Sequence, residues 1–197
     1  VEMDVPGVAA GSVRSEYSIA AATPLILFVG SGFQRKGVAE MLQLLAKLDG
    51  DFFAIIVGKD KQLKHYMAQS EQLGLAGKVS FTGPVNDIER YYVDSDILLL
   101  PTRYEPFSNV VLEAMRGGNA VITTRQNGAA EVLQEELQMA SSDDETILPA
   151  LQRLLDQPDY LVGIKEQNLA TVAQFTIASN ARQTLAAIDA VMQGRTP

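Results

Sequence analysis

The stretch Leu25-Ile26-Leu27-Phe28-Val29-Gly30-Ser31-Gly32-Phe33-Gln34-Arg35-Lys36-Gly37 sets the fold class of this chain. Its first five residues are a continuous apolar run, which is typical of a strand buried on both faces of a parallel sheet. The glycines that follow end the strand, and apolar side chains then recur at helical spacing as far as Leu48. The stretch therefore predicts a strand, a glycine-rich loop and a helix.

The same alternation continues along the whole chain. Further apolar runs predict strands at residues 52–57, 78–81, 97–100, 120–123 and 137–140. Helical spacing predicts helices at residues 37–48, 61–73, 86–92 (capped by Asn86), 109–116, 129–133 and 146–155, and one or two more within 159–192. Alternating strands and helices predict an α/β domain, a Rossmann-like doubly wound parallel sheet of about six strands with helices on both faces. Because ligands bind such sheets beyond the carboxyl ends of the strands, the residues just after each strand should line a common cleft.

The composition excludes several classes of protein. The 197 residues correspond to about one domain, and 47% of them are apolar, which is enough for a core. The net charge of −8 argues against a nucleic-acid binder and against an electrostatic anchor on an acidic membrane. There is no cysteine and only one histidine, His65, so disulfides, thiolate catalysis and a multi-histidine metal site are excluded. No apolar run approaches the ~20 residues of a membrane-spanning helix, and no signal peptide is visible.

The glycine-rich loop comes close to two known phosphate-binding motifs without matching either. Arg35 stands where a dinucleotide fingerprint needs its third glycine, and Val38-Ala39 stand where a P-loop needs Lys and Ser or Thr. The loop instead carries two cations, Arg35 and Lys36, beside a helix amino end, where positive charge is unfavourable unless an anion joins it. An arginine fork and a lysine point charge together suit a diphosphate.

A second loop follows the strand at 97–100 and carries two glutamates. It reads Tyr104-Glu105-Pro106-Phe107-Ser108-Asn109-Val110 and leads into the helix that contains Glu113. Asn109 is predicted to cap this helix, and the backbone N–H groups of residues 108–111 are expected to face the cleft as a phosphate site. Carboxylates accept hydrogen bonds from vicinal hydroxyls, so Glu105 and Glu113 on either side of an anion site suit a sugar–diphosphate–ribose ligand.

Three other features have simpler interpretations. Asp94-Ser95-Asp96 resembles a D-x-D metal motif, but it precedes a strand and is predicted to lie at the amino edge of the sheet, away from the cleft. His65 lies in the middle of a predicted helix, where a surface role is expected. The segment from Asn127 to Glu131 follows a strand on the cleft side and predicts a turn and a helix start, with backbone contact to a ligand as the alternative.

Together these motifs resemble the carboxyl-terminal, nucleotide-sugar-binding half of GT-B glycosyltransferases, of the retaining family four type (group 1). The matching elements are the loop ending in Arg35-Lys36-Gly37, the E-x7-E element from Glu105 to Glu113, and Gly128-x-x-Glu131. The resemblance covers about residues 24–193, with residues 1–23 as a lead-in that holds one short helix. The loop Gly-Ser-x-Phe-x-Arg-Lys-Gly is also similar to that of lipopolysaccharide-core glucosyltransferases.

The resemblance implies a role for each matching residue. Arg35 and Lys36 would bind the donor diphosphate, Glu113 the ribose hydroxyls, and Glu105 the hydroxyls of the transferred sugar. The stretch Gly83-Pro84-Val85 would lie near the base. The remaining donor-binding positions are in the two loops, namely Gly30, Ser31, Gly32, Phe107, Ser108, Asn109 and Val110. The chain departs from the family in two places, since many members have an arginine in place of Ser31 and Gly-Leu or Pro-Asn in place of Ser108-Asn109.

The resemblance also implies a reaction. It is the retaining transfer of a hexose from a nucleoside diphosphate sugar, with a UDP-sugar favoured over a GDP-sugar, to an acceptor hydroxyl in lipopolysaccharide or other cell-surface glycan synthesis. Glu105, Lys36 and Arg35 are the expected catalytic residues. The two cations would stabilise the charge that grows on the leaving diphosphate, so neither a metal nor a cofactor is expected. Front-face attack is favoured, with Glu105 as a nucleophile in a double displacement as the alternative.

The first residue, Val1, and the domain-sized length lead us to expect a fragment without the amino-terminal acceptor domain. By itself the chain is then expected to bind nucleotide weakly and to transfer nothing. The family implies a cytoplasmic bacterial protein, whose contact with the inner face of the membrane would be made by the missing domain. Three alternatives stay open: a GT-B sugar-nucleotide epimerase or hydrolase, a non-catalytic nucleotide or phosphosugar-binding module, and a dehydrogenase.

Overall fold

Six strands form one sheet, and every pairing between them is parallel. The structure is a computed structural model that describes residues 11–193. The strands are β1 (Leu25–Val29), β2 (Phe53–Val57), β3 (Val79–Gly83), β4 (Ile97–Leu100), β5 (Ala120–Thr124) and β6 (Gln138–Met139). The predicted fold class is therefore confirmed, including the number of strands.

Helices connect the strands and follow the last of them. The α-helices are α1 (Ser12–Glu16), α2 (Phe33–Lys36), α3 (Val38–Leu45), α4 (Leu63–Gln72), α5 (Ile88–Asp94), α6 (Asn109–Arg116), α7 (Leu148–Asp156), α8 (Pro158–Val172) and α9 (Ile177–Met192). Short 3₁₀ helices cover Gly128–Val132, Glu135–Leu137 and Glu145–Ile147. No helix within residues 11–193 combines the length and the apolar character needed to cross a membrane.

The strand order places a crevice at the centre of the sheet. The order is β3-β2-β1-β4-β5-β6, so the direction of winding reverses between β1 and β4. At such a reversal the loops that leave the two neighbouring strands diverge to opposite faces and open a crevice beyond their carboxyl ends. The β1 loop, the segment between β1 and α3, was predicted to be irregular but contains the one-turn helix α2, whose last two residues are Arg35 and Lys36. The loop after β4 carries Glu105. The topology therefore places the two predicted site loops on either side of this crevice.

The central strands form the rigid base of this crevice. All four residues of β4 and all five of β5 are buried, as are the first four of β1. Helix α3 turns its apolar positions, including Met41, Leu42 and Leu45, into the same core. Strands buried on both faces need the continuous apolar runs that the sequence shows.

The structure corrects two predicted helix starts. Asn86 does not cap the helix before β4, because α5 begins at Ile88 after Asp87, and no side-chain cap bond forms there. Asn109 is not the cap of α6 but its first residue, and Ser108 precedes it without a side-chain cap bond. In both cases an asparagine near a helix start suggested a cap that tertiary packing does not use.

The Asp94-Ser95-Asp96 motif lies at the amino edge of the sheet, as predicted. The Asp94 carboxylate accepts the backbone N–H of Val13 at 2.7 Å, which attaches α1 to the domain. The Asp96 carboxylate pairs with Arg14 at 2.6 Å and with Lys165 at 3.0 Å. These carboxylates therefore hold the first helix and α8 against the start of β4.

Candidate functional site

The loops after β1 and β4 are joined by hydrogen bonds between their backbones. The backbone carbonyl of Arg35 accepts the N–H of Arg103 at 2.9 Å and is 3.3 Å from the hydroxyl of Thr102. Thr102 is fully buried and belongs to a polar network at the end of the sheet, where it accepts a hydrogen bond from Thr124 at its carbonyl. Side chains that are about 70 residues apart in the sequence are thereby fixed in one place.

An ion triad occupies this junction. One carboxylate oxygen of Glu105, Oε2, lies 2.6 Å from Arg35 Nη1 and 2.5 Å from Lys36 Nζ. The Lys36 and Glu105 side chains are only 9% and 18% exposed, whereas that of Arg35 is 51% exposed. Partial burial raises the pKa of Glu105, but the hydrogen bonds and charges of Lys36 and Arg35 outweigh it and hold the pKa below its ordinary value of 4.5. Glu105 is therefore ionised at neutral pH and pairs with both cations through one oxygen.

Two glycines of the β1 loop lie against neighbouring groups of the crevice. Gly37 has a φ of +79°, and a Cβ atom there would lie 1.9 Å from the carbonyl oxygen of Pro101. A Cβ atom on Gly30 would lie 3.4 Å from Cγ of Lys36, so the lysine stem passes directly over this glycine. Gly37 is thus required for the close packing of the β1 and β4 loops, whereas Gly30 is in ordinary contact with the lysine stem.

The Glu105 loop is held from the side of β5. The N–H of Glu105 donates to the carbonyl of Gln126 at 3.1 Å, and the N–H of Gly128 donates to the carbonyl of Glu105 at 3.0 Å. The buried Asn127 side chain accepts the N–H of Ser108 at 3.2 Å. These bonds fix the backbone on both sides of Glu105, so the Glu105 carboxylate can change position only by rotation about its side-chain bonds.

A second part of the crevice is a small cleft of about 260 Å³ beside the triad. Its walls come from the ends of β1 and β2, the segment after β3, and helices α5 and α6; the lining residues are Val29, Gly30, Ser31, Val57, Gly58, Pro84, Val85, Ile88, Tyr92 and Glu113. Gly58 allows the two strand ends to approach, since a Cβ atom there would lie 1.8 Å from the carbonyl oxygen of Gly30. The walls are mostly apolar, which suits a flat aromatic base.

Glu113 lies in this cleft and is held by a buried phenol. The hydroxyl of Tyr92 donates to Glu113 Oε2 at 2.9 Å, and the Tyr92 side chain is fully buried. Burial raises the pKa of Tyr92, and the neighbouring Glu113 charge and hydrogen bond raise it further, so the phenol stays protonated and remains a donor. The arrangement orients one carboxylate oxygen and places it next to the space of the cleft.

Most of the predicted site residues fall in three places. Gly30, Ser31, Val85 and Glu113 line the small cleft, and Arg35, Lys36 and Glu105 form the triad. Phe107 and Asn109 line a larger cleft of about 940 Å³ between α6 and α9. Gly32, at a φ of +76°, precedes α2, and Val110 is partly buried on α6.

One expectation for this loop is wrong. The backbone N–H of Ser108 does not face the cleft as a phosphate donor, because the Asn127 side chain accepts it and Ser108 is buried. The predicted surface position of His65 is confirmed, since it is exposed on α4.

Three residues hold the site in ways that the sequence did not predict, although Asn127 does begin the predicted turn and short helix. Tyr92 orients Glu113, Asn127 holds the Glu105 loop, and Gly58 allows the approach of β1 and β2. Each has a weak local signal: a tyrosine in a short helix before a strand, an asparagine just before a glycine, and a glycine at a strand end. None of these signals identifies its partner, because the partners are 19 to 28 residues away.

A family model described as glycosyl transferases group 1 matches residues 12–171. The lipopolysaccharide glucosyltransferase WaaG of Escherichia coli is 36% identical over 115 residues, which are 56% of this chain and 30% of WaaG. The lipopolysaccharide core biosynthesis glycosyltransferase LpsE of Rhizobium meliloti is 24% identical over 168 residues, which are 83% of this chain and 49% of LpsE. The chain thus spans half or less of the length of these relatives.

Solved structures show the same fold. The crystal structure of WaaG superimposes with a TM-score of 0.79 at 26% identity and covers 94% of this chain and 51% of WaaG. Anabaena HepE, whose structure was solved in complex with UDP and glucose, superimposes with a TM-score of 0.82 at 20% identity over 91% of this chain and 52% of HepE. WaaG and HepE each contain a domain with the architecture described above.

Proposed function

Since this chain belongs to the glycosyl transferases group 1 family, we propose that it is the donor-binding part of a glycosyltransferase. In this proposal residues 24–193 are the donor domain, residues 1–23 lead into it, and the acceptor is bound by a part of the protein outside this chain. The enzyme moves a hexose from a nucleoside diphosphate sugar to an acceptor hydroxyl. The observation that carries the proposal is the Lys36–Glu105–Arg35 triad next to a cleft that contains Glu113.

The geometry suggests how a sugar nucleotide lies in the crevice. The base enters the small cleft against Pro84 and Val85, and the ribose hydroxyls donate to Glu113, which Tyr92 orients. The diphosphate then reaches Lys36 and Arg35, and the sugar lies near Glu105. A UDP-sugar is the donor we propose first, because HepE was solved with UDP and with UDP-glucose. Lipopolysaccharide or another cell-surface glycan is the proposed product class, in view of the names of WaaG and LpsE.

The proposed chemistry depends on stabilising the leaving group. As the glycosidic bond breaks, negative charge grows on the nucleoside diphosphate, and two cations fixed beside it lower the energy of that transition state. Lys36 and Arg35 would supply this stabilisation in place of a metal ion, and no cofactor is proposed. Retention by front-face attack, with Glu105 contacting sugar hydroxyls, follows the family resemblance, as does a cytoplasmic location.

Calorimetric titration of the 197-residue chain with UDP, GDP and ADP tests the donor site. We expect one of the three to bind, and Glu113→Gln to weaken that binding about tenfold, because a carboxylate that accepts ribose hydroxyls contributes more than a neutral amide. Glu71→Gln is the matched control, since Glu71 is exposed on α4 away from the crevice, and it should leave the affinity unchanged.

Two results would contradict the proposal. A folded chain that binds none of the three nucleotides at millimolar concentration would refute donor binding. Binding of NAD in place of these nucleotides would favour the dehydrogenase alternative.

Metal independence is tested separately, by repeating the titration with EDTA, which should not change the affinity.

A further inference from the structure

The triad contains a feature that donor binding does not explain. The two cations proposed to hold the diphosphate are already bound to a carboxylate of the same chain, and both use the same oxygen, Glu105 Oε2. A diphosphate that binds Lys36 and Arg35 must therefore share them with Glu105 or displace it. Both alternatives have an electrostatic cost that depends on the ligand.

The charges show why sharing is unfavourable. Lys36 and Arg35 carry two positive charges and Glu105 one negative charge, so the triad presents a net charge of +1 to an arriving anion. A diphosphate that approaches while Glu105 stays in place lies next to a carboxylate of the same sign, in a crevice where Lys36 and Glu105 are largely shielded from water. Like charges at such short distances repel strongly when they are poorly solvated.

Displacement of Glu105 is structurally simple. The backbone of Glu105 is fixed by its bonds to Gln126 and Gly128, so release from the cations requires only rotation about side-chain bonds. The released carboxylate loses two charge-assisted hydrogen bonds, and a partly buried carboxylate without partners is costly. Whether displacement is favourable thus depends on what the ligand offers Glu105 in return.

We propose that Glu105 is an internal competitor for the diphosphate, and that this competition makes the site prefer nucleoside diphosphates that carry a sugar over those that do not. A sugar next to the diphosphate donates hydroxyl hydrogen bonds to the displaced carboxylate, whereas a nucleoside diphosphate alone or pyrophosphate leaves it unpaired. Specificity arises here from an unpaired charge that penalises the wrong ligand. The inference rests on the proposed function, because it assumes that the sugar lies near Glu105.

The same competition acts on the product during turnover. Once the sugar has been transferred, the remaining nucleoside diphosphate no longer supplies hydroxyls to Glu105. The carboxylate then returns to Lys36 and Arg35 and favours release of the product. Glu105 thereby weakens the binding of the product relative to the donor.

The test compares three probes, inorganic pyrophosphate, UDP and UDP-glucose, on the wild-type chain and on Glu105→Gln. Glutamine keeps the shape of the side chain but removes its charge. We expect Glu105→Gln to bind pyrophosphate and UDP about tenfold more tightly, and the preference for UDP-glucose over UDP to fall about tenfold. Isothermal calorimetry measures the affinities for all three probes. The ionic strength is held fixed, because salt screens exposed charges and would change these affinities. Glu105→Ala should change the affinities in the same direction, and circular dichroism checks that both variants are folded.

Glu40→Gln is the matched control. It removes one carboxylate that is also paired with an arginine, Arg103, and changes the net charge equally, but it lies outside the triad. Unchanged or weaker pyrophosphate binding in Glu105→Gln would overturn the proposal, as would equal tightening in Glu40→Gln. Pyrophosphate has neither base nor sugar, so the two proposals can fail separately. If Glu113→Gln weakens the binding of UDP but Glu105→Gln does not increase the affinity for pyrophosphate, only the competition by Glu105 is refuted.

Discussion

The two glutamates of the E-x7-E element lie eight residues apart, yet their surroundings are opposite in kind. Glu105 is on a loop and is bound by two cations from the β1 loop. Glu113 is on helix α6 and receives its hydrogen bond from a neutral, buried phenol. One carboxylate is held by charge and the other by a single oriented dipole.

The difference indicates two different tasks. A carboxylate held by cations can give up its partners to a stronger anion, so Glu105 suits a position where ligands are exchanged. A carboxylate offers about four acceptor sites and the Tyr92 hydroxyl occupies one of them, so Glu113 suits a position that accepts further hydroxyls. If the tasks differ in this way, substitutions in one region should leave the binding properties of the other unchanged.

The largest effect is expected from Gly58→Ala, which acts on the Glu113 region. The new Cβ atom would lie 1.8 Å from the carbonyl oxygen of Gly30, at a φ of +141° that favours glycine. Overpacking and backbone strain together should lower the free energy of unfolding by about 4 kcal/mol. Urea denaturation measures this change, and nucleotide binding should fall more than pyrophosphate binding.

Gly74→Ala is the control that measures the backbone strain at a positive φ without the overpacking. Gly74 also has a positive φ, of +75°, but a Cβ atom there meets nothing within 4 Å. We expect a loss of only about 1 kcal/mol. Equal losses for Gly58→Ala and Gly74→Ala would show that the close approach of β1 and β2 is unimportant.

An intermediate effect is expected from Glu105→Gln, with a distinct pH dependence. The variant leaves the nearly buried Lys36 without its carboxylate, which should lower the free energy of unfolding by about 2 kcal/mol at pH 7. The loss is smaller than for a fully buried ion pair, because Arg35 and part of Glu105 are exposed to water. The pKa of Glu105 is lowered in the folded state, so its contribution is fully present above the ordinary value of 4.5 and is lost as the pH falls through the lower folded value.

The stabilities of the wild-type chain and Glu105→Gln should therefore converge at acid pH. Urea denaturation from pH 7 down to pH 3 measures the difference at each pH. Asp143 and Asp144 also have lowered pKa values, but they are common to both proteins and cancel in the difference. A gap between the two proteins that stays constant with pH would rule out the charge of Glu105 as its cause.

The smallest effect is expected from Tyr92→Phe, in the Glu113 region. Loss of one hydrogen bond should cost about 1 kcal/mol at pH 7 and weaken nucleotide binding severalfold, without changing pyrophosphate binding. Burial raises the pKa of Tyr92 above the ordinary value of 10.0. Its protonated form is therefore favoured by folding, and the wild-type chain should lose stability relative to the variant as the pH rises above 10.

Denaturation between pH 7 and pH 11 checks the alkaline part of this prediction. Burial also raises the pKa of Tyr91 and of Tyr160 to about 12, but both are present in the variant as well. A pyrophosphate affinity that fell in Tyr92→Phe would show that the Glu105 and Glu113 regions are coupled and not independent.

Much of the fold could be predicted because its signals are local. The continuous apolar run of β4, Ile97–Leu100, predicts a buried parallel strand with the observed bounds. The two-residue β6 and the asparagine caps were less predictable, since so short a strand and a helix start depend on neighbouring elements. The candidate site was predicted as a group of residues, because the residues after parallel strands share one edge of the sheet.

Which side chains of that group bind one another could not be predicted from the sequence. Nothing in the order of residues 35, 36 and 105 says that one carboxylate oxygen holds both cations, or that Tyr92 donates to Glu113. The sequence by itself determined the type and order of the helices and strands and the polar residues that follow the strands. Hydrophobic periodicity and the glycines that end each element are signals that extend over only a few residues. The partner of each charged side chain was set by packing, because groups up to 70 residues apart meet only where the winding of the sheet reverses between β1 and β4.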